Sequence, residues 1–154
     1  MDPREQLKQI LDDLSAKVPE GQPVVMINLL RFRAKAEYPA GFEAKPVTGR
    51  QAYDHYSRLT LPHLIKVGGR LIWRAEGRTC LIAPAGEHWD EALLVRYPSR
   101  SAFEQMITNP EYQAGTVHRT AALEDSRLIA TTSPQGISRI AWWVLTVVSK
   151  FRRR

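Results

Sequence analysis

The chain has 154 residues, 44% of them hydrophobic and 25% charged, with Cys80 its single cysteine. That is material for one domain with its own apolar core; it excludes an internal disulfide and any CxxC metal knuckle, and favours a cytoplasmic setting. The net charge of +6 points to nucleic acid only until it is located: five of the 22 basic residues lie beyond position 133 with no acid among them, leaving 17 basic against 16 acidic side chains in residues 1–133, a body too balanced to track a phosphate backbone.

Asp2-Pro3 with Glu5 reads as a helix start, and Leu7, Ile10, Leu11 and Leu14 recur at helical spacing. This helix should end near Val18, before Pro19-Glu20-Gly21. Its charged beginning does not have the pattern of a signal peptide. Val24 to Phe32 is a strand-like run rich in apolar and β-branched residues, apolar on both faces and therefore expected at the centre of a sheet. Residues 34–47 hold Pro39, Gly41 and Pro46 and read as a long loop, of the kind that often acts as a lid.

Thr48 with Gln51 three positions on has the pattern of a capping box. The helix it opens carries Tyr53, Tyr56 and Leu59, meets Pro62, which should kink or break it, and closes at Val67-Gly68-Gly69. Leu71-Ile72-Trp73 opens a second strand, and Thr79–Ala83 is a further apolar run expected to extend the hairpin as a strand of its own. Pro84-Ala85-Gly86 is a turn. Ala92–Tyr97 is strand-like again, Pro98-Ser99 is a turn with Ser99 as helix cap, Asn109-Pro110 restarts a helix, and Glu124-Asp125-Ser126 should turn the chain into a last strand from Ser126 to about Thr131. A β–α–β unit of this kind is half of a ferredoxin-like fold.

Five segments together resemble a bacterial family: VVMINLLRFR (24–33), GRQAYDHY (49–56), KVGGRLIWR (66–74), WDEALLVRYPSRSAF (89–103) and PEYQAGTVHRTAALEDSRLI (110–129). The family is the Domain of Unknown Function thirteen-thirty family, of the dimeric α+β barrel superfamily, and the resemblance spans roughly residues 22–131. It implies an α+β, ferredoxin-like βαββαβ subunit with an antiparallel sheet that faces its twin's across a homodimer, enclosing a barrel-like interior. It implies no particular reaction, because the superfamily holds cofactor-free monooxygenases, haem-binding enzymes and lactone isomerases alike. The division expected is an N-terminal helix (1–21), the barrel domain (22–133) and an apolar-basic C-terminal tail (134–154).

Candidate chemistry lies on a few side chains. Asn28 and Arg31 sit on the most apolar strand and, three apart, point to opposite faces. They are candidates to orient a carbonyl or carboxylate, against the plainer reading of a backbone-bonded Asn and an ion-paired Arg. Of the four histidines, His63 and His118 are candidates for moving a proton; no pair has helical metal-site spacing, and neither metal nor cofactor is expected. Tyr56, Trp73, Trp89 and Tyr97 suit a ligand pocket, a dimer interface or core packing alike. A small apolar-to-aromatic cavity is expected between sheet and helices.

Three function classes stay open: an enzyme acting on a small organic molecule without a bound cofactor, a non-catalytic small-molecule binding module, and a peripheral membrane protein. The third rests on the tail, where Ile140–Val148 is apolar with two tryptophans and Lys150 and Arg152–Arg154 follow. That pattern fits an anionic membrane surface met through residues 139–154, or equally a segment packed on protein.

Overall fold

The apolar run at 24–32 forms the hub of the sheet in the computed structural model, which describes residues 3–133. This strand, β1 (Val24–Phe32), lies between β3 (Glu91–Tyr97) and β4 (Leu123–Thr131), with β2 (Arg70–Glu76) beyond β3. Every neighbouring pair is antiparallel, giving the order β2-β3-β1-β4. Pairing on both edges satisfies the backbone hydrogen bonds of β1 and sets it inside the sheet. The helices are α1 (Pro3–Lys17), α2 (Gly49–Lys66), α3 (Arg100–Ile107) and α4 (Pro110–Ala122). The order is the ferredoxin-like βαββαβ arrangement with one helix added in front and the second crossover split into α3 and α4.

Side-chain alternation along β1 divides the molecule into two faces. Val24, Met26 and Leu30 are at most 2% exposed and enter the two apolar clusters. Burying each such side chain contributes about 2 kcal/mol. One cluster joins Val24 and Met26 to Leu14 and Val18 at the end of α1, Tyr97, and Phe103 and Met106 of α3. The other joins Leu30 to Ala52, Tyr53 and Tyr56 of α2 and to Ala122 and Leu123. The helix in front is thus part of the core. Glu20 fixes its exit by accepting from the backbone N–H of Ser101 at 3.2 Å and from Arg100 Nε at 3.2 Å.

Local sequence accounts for the helix ends. Thr48 and Gln51 form the reciprocal capping box at the start of α2. Ser99 and Asn109 cap α3 and α4, each side-chain oxygen accepting from a backbone N–H of the first turn. Gly68, at φ +75°, makes the left-handed exit from α2. Pro62 does not end α2, which runs through to Lys66. Arg58, whose carbonyl loses its donor to the proline, is exposed, as is Pro62, so water can replace the missing bond.

Two expectations are corrected. Thr79–Ala83 is not a strand: it lies in the β2–β3 loop with nothing packed on it, Leu81 and Ile82 standing 90% and 99% exposed. Glu124-Asp125-Ser126 is not a turn either. The last strand begins at Leu123 directly after α4, so Asp125 already pairs with Arg31 and Ser126 with Leu30. The Asp2 cap and the tail from 134 lie outside the described residues.

Candidate functional site

The face of the sheet away from the helices carries Val25, Ile27 and Leu29 of β1, Leu94 of β3, Trp73 of β2 and Ile129 of β4, as the ladder register requires. None belongs to either buried cluster. Trp73 is 50% exposed and Ile129 47%. Arg31 stands at one end of this face, its Nη2 3.0 Å from Glu124 Oε1, while its Nε is buried with no hydrogen-bond partner. Arg127, opposite Leu29, lays its guanidinium 5.1 Å from the centre of the Trp89 ring. Of the residues singled out in the sequence, Arg31, Trp73 and Trp89 are therefore brought to the open face or its rim.

Asn28 lies on the other face, as the odd spacing from Arg31 demands. Its Nδ2 donates to Met26 O at 3.4 Å. Tyr56 and Tyr97 are on that face too, each packed into the core. The Tyr56 hydroxyl meets that of Tyr112 at 2.8 Å, and the Tyr97 hydroxyl donates to Met106 Sδ at 3.8 Å. Burial pushes the phenols of Tyr97 and Tyr112 well above their ordinary range. Between sheet and helices, where an apolar-to-aromatic cavity was expected, Met26, Leu30 and these tyrosines are packed in the core.

The two histidines proposed as proton movers stand apart from each other and from Arg31. His63, in the last turn of α2, sits edge-on to Tyr112 with ring centres 6.4 Å apart. It borders a dent of about 50 Å³ with Lys66, Gln105 and Met106. His118 of α4 belongs to a strap over the helices. The long loop folds back so that Tyr38 stacks on Phe42 at 4.9 Å, and the Tyr38 hydroxyl hydrogen-bonds His118 Nδ1 at 2.9 Å. The His55 ring lies 4.4 Å from that of His118. Burial first, and the neighbouring His55 second, lower the pKa of His118. Among the described residues no cluster of three or more His, Cys, Asp or Glu side chains is placed to hold a metal, and no helix is long and apolar enough to cross a membrane.

One charged constellation is absent from the sequence reading. Arg50 of α2, Arg74 of β2 and Glu91 of β3 converge at the rim of the helix face, where both guanidiniums reach Glu91 Oε2, Arg74 at 2.9 Å. With Asp54, Ala75 and Glu76 they line a cleft of about 470 Å³. A signal existed: Glu91 shares the i, i+2 parity of Leu93, Val95 and Tyr97, which puts an acid on the core side of its strand.

The family described as Domain of unknown function (DUF1330) matches residues 43–132. The fold is similar to the crystal structure of the methylated RPA0582 protein, with 37% identity, a TM-score of 0.74 and coverage of 84% of this chain and 93% of that one. It is similar also to the structure of RPA0582 described as a protein of unknown function from Rhodopseudomonas palustris, with 36% identity, a TM-score of 0.73, and 83% and 94% covered. A dimeric protein of unknown function and ferredoxin-like fold from Bacteroides fragilis NCTC 9343 is more distant, with 15% identity, a TM-score of 0.43, and 73% and 98% covered. Comparison with curated proteins gives no match. With the matched residues spanning more than half of the chain, including β2, β3, α3, α4 and β4, the protein belongs to the DUF1330 family.

Proposed function

We propose that the protein works as a homodimer that encloses a small organic molecule between the open faces of two sheets. The observation that carries this reading is the uncovered apolar face. Ile27 and Leu29 belong to a central strand yet remain only half-buried, and Trp73 and Ile129 beside them are about half exposed. Apolar surface left in water forgoes about 25 cal/mol per Å². A second copy offers the same patch, and a two-fold axis makes it self-complementary. Twisted sheets set face to face do not mate over their whole area; the unfilled middle is the hollow.

Arg31, with a buried Nε lacking an acceptor, is the polar anchor for a carbonyl or carboxylate in that hollow. Trp73 and Trp89 are its aromatic walls. None of the four histidines lies on a strand, and His63 and His118 belong to helices on the other side of the sheet. Ligand binding is therefore favoured over turnover. Native mass spectrometry of freshly purified protein tests this. The expected result is a dimer carrying a non-covalent small-molecule adduct, with Arg31→Ala dimeric but bare. A wild-type dimer without adduct, or an adduct retained equally by Arg31→Ala, would reject the reading.

A further inference from the structure

Among the described residues Glu91 is the buried acid, with a side chain 2% exposed. Arg50 and Arg74 both address its Oε2, while its Oε1 is buried with no hydrogen-bond partner. A carboxylate taken from water is costly unless both oxygens are bonded. An ion triad that serves packing alone would share the two guanidiniums between them. The unpaired oxygen belongs to a residue that lines the 470 Å³ cleft, a volume suited to a small ligand.

The donors beside it are held in place. The Arg50 guanidinium lies 4.4 Å from the centre of the Phe32 ring. The Glu91 hydrogen bond raises the pKa of Arg74. Each guanidinium has five N–H donors, and the ion pairs above engage one nitrogen of each, so the others are left for the cleft. The charges on the wall balance. Arg50 and Arg74 offset Glu91 and Asp54, the latter 3.9 Å from Arg74, and Glu76 is paired with Arg78 at 2.7 Å. A bare anion would meet two carboxylates here and a bare cation two guanidiniums.

We propose that this cleft binds a small zwitterion, an α-amino acid or a short amine-bearing carboxylate. Its carboxylate sits on the outer N–H groups of Arg50 and Arg74, and its ammonium faces Asp54 and the Glu91 carboxylate. The site lies on the helix side of the sheet, away from the dimer hollow, and stands independently of it.

Calorimetric titration of the full chain with each of the 20 standard L-amino acids is the test. Every amino acid that binds is compared with its 2-hydroxy acid, which lacks the ammonium, and its methyl ester, which lacks the carboxylate. At least one amino acid should bind, and both half-molecules should bind about tenfold or more weakly, the usual effect of losing a hydrogen bond to a charged group. Arg74→Met and Glu91→Gln should each weaken binding by a similar factor. Absence of binding by any amino acid, equal binding of the half-molecules, or wild-type binding by Arg74→Met would overturn the proposal. Arg74 is on the edge strand with its side chain 47% exposed, so Arg74→Met decides the matter even where Glu91→Gln does not fold.

Discussion

The hydroxyls of Tyr56 and Tyr112 meet at 2.8 Å where α2 packs on α4, and each is the other's partner. Both phenols are in the packed interior of the helix layer. Removing one oxygen leaves the second buried without that bond. Tyr56→Phe and Tyr112→Phe should each lower unfolding free energy by about 1 kcal/mol. The double variant should lose less than the two singles added together. Urea unfolding followed by circular dichroism measures all three.

Gly49 opens α2 where three segments crowd together. A Cβ built there would come within 2.4 Å of both the Ala122 and the Arg33 carbonyl oxygens. Both are backbone atoms, and Gly49 itself donates to Arg33 O at 3.1 Å. Gly49→Ala must therefore push the helix off the α4–β4 junction, at a cost of about 1–3 kcal/mol. Thermal unfolding should show a lowered midpoint; an unchanged or raised one would mean that the contact relaxes freely.

His118 gives the fold an acid-sensitive point. Its pKa is lowered in the folded state, by burial and then by His55, so folding favours the neutral ring. The unfolded chain takes up this proton first, near pH 6.5. The contribution is fully present above that pH and is lost as pH falls through about 6.5 toward the lower folded value. Stability measured from pH 8 down to 5 should fall more steeply for the wild type than for His118→Asn. Parallel curves would assign the loss to other groups.

Much of the fold was legible in residue parity and punctuation. Nine consecutive positions at Val24–Phe32 without a glycine or proline marked a central strand, and three-residue spacing put Asn28 and Arg31 on opposite faces, as found. Thr48, Ser99 and Asn109 announced their helices because each cap uses only neighbours in sequence. Thr79–Ala83 misled because an apolar run reads alike whether or not anything packs on it, and Leu81 and Ile82 stay exposed in a loop. The Arg50–Glu91–Arg74 cluster escaped notice for a related reason. Its members come from α2, β3 and β2, and an acid at the start of a strand reads as solvent-facing until the ladder sets Glu91 opposite Leu30. Tyr56 and Tyr97 were legible as aromatics with polar tips, but whether such a residue faces a ligand or a Met sulfur is decided by packing.

The open sheet face admits a direct measurement, the mass of the protein in solution. Light scattering at micromolar concentration should give twice the mass of the chain. Trp73→Glu and Ile129→Glu, each placing a charge at a position about half exposed in the single subunit, should give monomers with unchanged circular dichroism. A monomeric wild type, or glutamate variants that remain dimers, would contradict the pairing of the two sheets.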